Sequence, residues 1–304
     1  MIKAVTITNY LGDSIRLDLM RPEQSGFIVK EIKGLGPGKA DMNFTSIASD
    51  DADLFNTARR GKRNIVLSLQ FMFAPTIEDV RLKSYKYFPL KKDIKLLIET
   101  SNRTAEIEGY VESNEPDIFS KDEGCDISIL CPNPYFRSAG EDGITETVFS
   151  GITSEFEFAF ENESVDDLMI EFGSIQNLTE QTIFYTGDAE TGVTIYIHAL
   201  GEVKNITIYN TGTRELMKID TNKLEEMTGY GILAGDDITI CTIKQKKSIS
   251  LLRNGVTTNI LNCLDKNVDW FQLSKGDNVF TYIAEYGGTN LQFRIQSQVV
   301  YEGV

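Results

Sequence analysis

Hydrophobic and polar positions alternate over a long stretch in the first third of the chain. From Asn64 to Phe73 the apolar residues Ile65, Leu67, Leu69, Phe71 and Phe73 occupy one set of alternate positions, and Val66, Ser68, Gln70 and Met72 occupy the other. Successive side chains of a strand point to opposite faces, so this period of two predicts a strand. Its length and its apolar face predict that the strand is central in a sheet.

Two further segments of the first half repeat this pattern. Between Thr104 and Glu112 one face carries Ala105, Ile107, Gly109 and Val111, and after a turn one face carries Cys125, Ile127, Ile129 and Cys131. Pro132 and Pro134 follow, and because proline has no amide hydrogen for a ladder, the second strand must end there. We expect both strands to be half-buried.

One helix and one loop interrupt these strands. Thr76, followed three residues later by Asp79, resembles a capping box, which predicts a helix over about Ile77 to Phe88 that Pro89 terminates. Upstream, the segment GLGPGKADMNFTSIASDDADLF is rich in glycine near its start. Glycine and proline in such density favour an extended loop over a packed element.

The chain changes character after Phe136. The polar, glycine-containing segment RSAGEDGITE is the best candidate for a domain boundary, which predicts domains at 1–137 and 138–304. Beyond it, alternation recurs around Phe156 to Phe160, Val193 to Ile197 and Leu291 to Ile295, and Asn254-Gly255 is a two-residue hairpin signal. Many short strands with almost no helical pattern predict a β-sandwich, so the fold class is mainly β.

Size and charge limit the function classes. The 304 residues exceed the usual single-domain size, and the net charge of −15 is uneven. Residues 1–140 contain 19 basic and 20 acidic side chains, whereas residues 141–304 contain 11 and 25. A surface this acidic repels nucleic acid and anionic membrane, so we expect no sequence-specific nucleic-acid binding. Without a continuous apolar segment, we expect no secretion signal and no membrane insertion.

The residues that usually carry chemistry are sparse. His198 is the only histidine, which excludes a multi-histidine metal site, and its strand position favours a structural role over that of the base of a triad. GLGPGK departs from the phosphate-loop pattern, and Asp50, Asp51 and Asp53 lack the glycine and distal glutamate of a calcium loop. The four cysteines form no metal-binding spacing, and we interpret them as reduced, mostly buried thiols made in a cytoplasm. We therefore expect no catalytic residues, no metal and no cofactor.

Two features are candidate contact sites. The denser basic positions include Arg59, Arg60, Arg63, Lys91 and Lys92, for which a solvated face and an acidic protein partner are the two interpretations. Trp270, the only tryptophan, either stacks on a sugar ring or fills a sandwich core, and its neighbours favour the core.

Four segments of the first half resemble one family of proteins. ARRGKRNIVLSLQF (58–71), the helix EDVRLKSYKYFPLKK, IEGYVESNEPDIFS (107–120) and ISILCPNPYF (127–136) are similar to the tail-component family that includes the distal tail protein (Dit) of long-tailed bacteriophages. The second half resembles the family's C-terminal domain through the order of TGDAETGVTIYI, GDDITI, KSISLLRNGVTTNIL, WFQLSKGDNVFTY and the closing YEGV.

This resemblance implies a structural protein of the phage tail tip. The expected architecture is a ring-forming N-terminal domain with one α-helix and a galectin-like C-terminal β-sandwich, assembled as a homohexamer that joins the tail tube to the baseplate hub. The implied partners are other copies of the chain, the tail tube protein, the baseplate hub or tail-associated protein, and receptor-binding proteins. Two alternatives stay open: a carbohydrate-binding adhesin acting through the second domain, and a cell-wall hydrolase.

Overall fold

The chain forms two compact units. The structure is a computed structural model that describes residues 1–47, 51–73, 76–140, 143–153 and 174–304. Unit 1 comprises residues 1–143 together with 300–304, and unit 2 comprises residues 144–299. The alternating segment expected around Phe156 to Phe160 lies outside the described residues, as does Asp50.

Unit 1 is built around one antiparallel sheet. In chain order its strands are β1 (Ile2–Asn9), β2 (Ser14–Asp18), β3 (Phe27–Lys33), β4 (Ala40–Ser46), β5 (Asp53–Arg60), β6 (Arg63–Phe71), β7 (Asp93–Thr100), β8 (Thr104–Asp117), β9 (Gly124–Cys131), β10 (Phe136–Ser138) and, from the end of the chain, β24 (Val300–Tyr301). The main sheet has the order β2-β1-β7-β8-β9-β6-β3, with β10 beside β8 and β24 beside β10. β4 and β5 form a separate pair.

The alternating segments form the core of unit 1. β6 is an interior strand between β9 and β3, and Ile65 pairs with Ile129 across the ladder. Ile65, Leu67, Leu69 and Phe71 are buried, as are the inward residues predicted for β8 and β9. Phe73 departs from the pattern, because β6 ends at Phe71 and the Phe73 side chain is 84% exposed.

The predicted helix is present as α1 (Ile77–Tyr87). The Thr76 side chain accepts a hydrogen bond from the Asp79 amide at 3.1 Å, which satisfies one of the free amides of the first turn. The helix ends before Phe88, whose amide donates to the Ser84 carbonyl. α1 buries Val80 and Ser84, and its other side faces solvent.

The segment expected to be an extended loop is a β-hairpin. β4 and β5 pair antiparallel from Ala40–Arg60 to Ser46–Asp53, and no third strand among the described residues joins them. The glycine-rich part does remain a loop, because Gly34 has φ +84° and a Cβ there would lie 2.1 Å from the Asn64 carbonyl oxygen. The expectation covered residues 34–55 and was wrong for the strand residues 40–46 and 53–55, since the pairing supplies hydrogen bonds that local residue preferences do not reveal.

Unit 2 consists of two antiparallel sheets around one core. Its strands are β11 (Ile144–Val148), β12 (Ser150–Thr153), β13 (Ser174–Asn177), β14 (Glu180–Tyr185), β15 (Thr191–Ala199), β16 (Lys204–Asn210), β17 (Glu215–Ile219), β18 (Asp237–Cys241), β19 (Ser248–Arg253), β20 (Val256–Asn259), β21 (Gln272–Leu273), β22 (Gly276–Tyr286) and β23 (Leu291–Gln298). One sheet has the order β11-β23-β15-β18-β19-β20 with β21 beside β15, the other β14-β22-β16-β17, and β12 pairs with β13. Buried residues of both larger sheets pack together, which is the arrangement of a β-sandwich.

In unit 2 the sequence predicts one turn correctly and misses one helix. The Asn254-Gly255 hairpin is confirmed, because Arg253 pairs with Val256 and both turn residues have positive φ, 50° and 78°. A second helix, α2 (Thr221–Thr228), was not expected. Asp220 caps its start and Gly229, in the left-handed conformation, ends it.

The chain end returns to unit 1. β24 pairs with β10, and the Val304 amide donates to the Leu35 carbonyl at 3.1 Å. The sequence placed residues 300–304 in the second domain. In the structure they belong to unit 1, where they pair with Phe136 and Arg137. These partners lie more than 160 residues upstream, and no local sequence pattern predicts a contact over that separation.

Candidate assembly surfaces

The β4–β5 hairpin, which we call the arm, has no buried face. Every described residue from Ala40 to Ile47 and from Asp51 to Arg59 is exposed. Its apolar side chains are Met42, Phe44, Ile47, Leu54 and Phe55, each between 43% and 60% exposed. The Phe44 and Phe55 rings meet edge to face at 5.8 Å. An isolated two-stranded hairpin is marginally stable in water, so an arm with this apolar content is typical of a contact surface.

Three of the five basic candidates lie where the arm joins unit 1. Arg59 is exposed on the arm, with its Nε 3.8 Å from an Asp41 oxygen. Arg60 pairs with the Glu302 carboxylate and lies 5.4 Å from the Tyr135 ring centre. Arg63 follows at the start of β6. The structure therefore brings Arg59, Arg60 and Arg63 to one region, the root of the arm.

Arg63 is enclosed rather than presented to solvent. Only 5% of the residue is exposed, and burial lowers the pKa of its guanidinium from the ordinary value. Its nitrogens donate to four backbone carbonyls, those of Pro134 at 2.6 Å, Gly34 at 2.5 Å, Gly36 at 2.6 Å and Glu302 at 2.7 Å. The guanidinium carbon also lies 4.6 Å from the Phe136 ring centre. Such a group organises the surrounding backbone, because each donor holds a separate segment.

A cleft opens beside this root. Its volume is about 560 Å³, and its lining includes Lys39, Asp41, Arg60, Lys62 and Arg63 together with the glycine loop. Four of those five charged residues are basic, so the cleft is electropositive. This agrees with the interpretation of the basic run as a contact for an acidic segment, which stays a prediction.

The remaining basic candidates lie elsewhere in unit 1. Lys91 has a positive φ of 61°, and its amide donates to the Val111 carbonyl at 2.9 Å. The Lys92 ammonium lies 5.2 Å from the Tyr10 ring centre. Lys91 and Lys92 thus belong to the turn before β7 and lie outside the cluster at the arm.

Two exposed phenylalanines were missed as contact candidates. Phe73 follows β6, and Phe119, which is 95% exposed, follows β8. The two loops lie at the same end of the sheet, since the Phe71 amide donates to the Glu123 carbonyl at 2.9 Å. For Phe119 the available signal was the polar segment 120–123 directly after it, because a turn has no core face to receive a large ring. Phe73, which lies between Met72 and Ala74, has no such signal.

Trp270 lies at the edge of the unit 2 core. It is half-buried and packs against that core beside Val268. The Lys247 ammonium lies 5.1 Å from its ring centre. With the core on one side and Lys247 near the ring, the indole contributes to packing, and a sugar-stacking role stays untested.

Unit 2 also carries a shallow polar depression on the outer face of its larger sheet. It measures about 600 Å³ and includes Glu146, Tyr196, His198, Asp237 and Arg294. His198 Nδ1 lies 2.7 Å from Asp237 Oδ1, and the Arg294 guanidinium lies 4.5 Å from the Tyr196 ring centre. The lone histidine is thus engaged by a carboxylate on the neighbouring strand.

The thiols and acidic groups show no reactive arrangement. All four cysteines are free, and Cys125, Cys131 and Cys263 are buried. Burial raises the pKa of Cys125 to about 12 and that of Cys131 to about 11, so both are protonated at neutral pH. Within the described ranges, no group of three or more histidine, cysteine, aspartate or glutamate residues is arranged to hold a metal ion. No helix in the same ranges is long and apolar enough to cross a bilayer.

The described residues form a mainly β protein, and its unit 1 carries an arm of two strands that no third strand joins. The crystal structure of SPP1 Dit (gp 19.1), a paradigm of the hub adsorption apparatus in phages that infect Gram-positive bacteria, matches this chain with a TM-score of 0.65 and 14% identity over 97% of this chain and 98% of that one. A chain of the phage p2 baseplate in its activated conformation matches with a TM-score of 0.47 and 11% identity, over 97% and 98% of the two chains.

The sequence comparisons give no such match. No protein-family model matches the chain, and no curated protein shows significant sequence similarity to it. The structural match to SPP1 Dit, in contrast, covers 97% of the chain. The chain has the fold of SPP1 Dit, and the resemblance seen in the sequence is confirmed at the level of the fold.

Proposed function

We propose that this chain is a hub subunit of a bacteriophage tail tip and acts there as a structural protein. Unit 1 builds a homohexameric ring between the tail tube protein and the baseplate hub or tail-associated protein, and the chain is part of the virion. The fold shared with SPP1 Dit over nearly the whole length of both chains supports this assignment.

The observation that carries the ring is the arm. Its apolar side chains have no partner surface within the described part of unit 1, and a second copy of the chain supplies one without any further component. Contact through an arm uses two different surfaces of the two copies, so each subunit offers one to each neighbour, and such contacts form a ring where the rotation between copies closes. The number of six subunits comes from the resemblance.

Charge favours the same unit. Residues 1–140 contain 19 basic and 20 acidic side chains and are nearly neutral, whereas the 11 basic and 25 acidic residues of 141–304 give a charge of −14. Like charges repel, so copies can pack closely through unit 1 more easily than through unit 2. Unit 2 is accordingly assigned to the periphery, as a galectin-like spacer.

The particle mass tests this proposal. Light scattering of the purified chain should give six times 34.1 kDa, and negative-stain microscopy should show a ring. A monomer at micromolar concentration, with no ring of this protein in intact virions, would contradict it.

The alternative function is carbohydrate binding for host adhesion through unit 2. The depression around Tyr196 favours it, since carboxylates, a guanidinium and an aromatic ring together suit the hydroxyls and apolar face of a sugar. A glycan array with the full chain tests it, and Tyr196→Ala is the matched loss-of-binding variant. Cleavage of cell-wall polymer by the purified chain would instead support the second alternative, a cell-wall hydrolase.

A further inference from the structure

The last residues of the chain complete the region from which the arm projects. Val300 and Tyr301 pair with Arg137 and Phe136, and the Tyr301 and Val304 side chains pack against the unit 1 core. Gly303 passes close to the glycine loop, where a Cβ would lie 3.0 Å from the Leu35 carbonyl oxygen. Residues 300–304 therefore fill a groove of unit 1. We call these five residues the tail, as distinct from the tail of the phage.

Both ends of the arm are tied to this tail. The glycine loop leads into β4, and the Leu35 carbonyl in that loop accepts from the Val304 amide. At the other end, Arg60 of β5 pairs with the Glu302 carboxylate. Arg63, three residues further on, links the two ends, because it donates to Gly34, Gly36 and Glu302 simultaneously.

Among the described residues no third strand supports the arm, and apart from the tail its root contacts the Tyr135 ring through Arg60. β4 and β5 pair only with each other, so the direction in which the arm projects depends on its two ends. Without the tail, Arg63 loses one of its four carbonyl acceptors and Arg60 loses its carboxylate partner. Arg60 Nη1 has no hydrogen-bond partner, so the loss of Glu302 leaves the Arg60 guanidinium with no hydrogen bond to the protein that would hold it in place.

We infer that the tail is a clasp that fixes the arm in the orientation used for assembly. Because the tail follows all of unit 2 in the chain, a nascent subunit acquires a fixed arm only after both units have been synthesised. The clasp thereby prevents ring formation by chains that still lack unit 2. This inference rests on the proposed ring, but the state of the arm can be measured in a monomer as well.

Hydrogen exchange and particle mass together test the clasp, in two variants that both keep unit 1 and unit 2. The first variant ends the chain at Val299. The second, Gly303→Val, keeps every other residue and crowds the tail against the glycine loop, where a Cβ alone would lie 3.0 Å from the Leu35 carbonyl oxygen and 3.2 Å from atoms of Gly36 and Pro37. The matched control is Glu225→Gln, an exposed substitution in α2 of unit 2.

We expect both tail variants to exchange the amides of the β4–β5 ladder nearest the root of the arm roughly tenfold faster or more, because the released Arg60 side chain and glycine loop let the first ladder pairs open. The amides of β6 to β9 should remain protected, and the ring fraction should fall in parallel. The control should match the parent chain. If the truncated chain fails to fold, Gly303→Val alone decides.

Two results would overturn the clasp: unchanged exchange at both ends of the arm, or an intact ring with a displaced tail. If the parent chain forms no ring, the exchange measurement still tests the clasp, and only the proposed function is contradicted.

Discussion

The arm and the β6–β9 pair are antiparallel ladders of the same unit with opposite burial. Along β6 and β9 alternate side chains are buried in the core, whereas all seven residues of β4 are exposed. The first ladder is stabilised by burial of apolar surface within its own chain. The arm lacks this stabilisation and can bury its apolar side chains only against another surface. The comparison therefore distinguishes the strands that stabilise the folded subunit from those that we assign to assembly.

Thiol reactivity should show this difference most strongly. Cys125 and Cys131 lie on the buried face of β9, where burial raises their pKa values to about 12 and about 11 from an ordinary value of 9.0. At about pH 8 their thiolate fractions are therefore lower by roughly a hundredfold or more than that of an exposed thiol. A reporter cysteine in the arm, Thr57→Cys, should be alkylated at least that much faster, as mass spectrometry can measure.

The sign of the pH effect follows from the same shift. In the unfolded chain these thiols ionise near their ordinary pKa, whereas in the folded chain they stay protonated up to a higher pH. Their contribution to stability is therefore intact below about pH 9 and decreases as the pH rises toward 12. Equal alkylation of Cys125 and the reporter at pH 8 would contradict the burial of β9.

Core and arm substitutions should differ in their effect on stability. Leu67→Ala removes a fully buried side chain from β6, and we expect the free energy of unfolding to fall by roughly 2–5 kcal/mol. Leu54→Ala makes the same chemical change on the exposed arm and should change it by less than about 0.5 kcal/mol. Urea denaturation of both variants as monomers provides the measurement, and equal losses would show that the arm packs on its own unit.

Trp270 is intermediate between these extremes. A fully buried tryptophan would cost roughly 3–5 kcal/mol on truncation to alanine, but this indole is half-buried, so we expect Trp270→Ala to cost about 1–3 kcal/mol. Trp270→Phe, which keeps most of the packing, should cost less. A variant of unchanged stability that has lost attachment to host cells would instead support the sugar-stacking role.

The sequence predicted elements that local chemistry defines. β6, β8 and β9 follow from alternation because one face of each is buried, and α1 follows from the Thr76 cap. The turn at Asn254-Gly255 follows from two residues that tolerate positive φ. Each of these signals lies within a few residues of the element that it specifies.

The candidate site depends on contacts between distant residues. The sequence predicts a loop there because glycine and proline are dense at residues 34–38, and strands with no buried face show no strict alternation that would indicate a hairpin. Arg63 could be named from the basic run, but its enclosure by carbonyls from Gly34, Pro134 and Glu302 requires three segments that meet only in the folded chain. The return of residues 300–304 to unit 1 was missed for the same reason.

The central claim is that the arm assembles subunits and does not stabilise the subunit. Its most direct test is the mass, by light scattering, of the double variant Phe44→Ser with Phe55→Ser, beside Phe184→Ser with Ile283→Ser, which alters two exposed apolar residues of unit 2 in the same way. We expect the arm variant to remain a monomer of about 34.1 kDa with an unchanged melting temperature, while the unit 2 variant keeps the mass of the ring. An arm variant that still forms the ring would contradict the account.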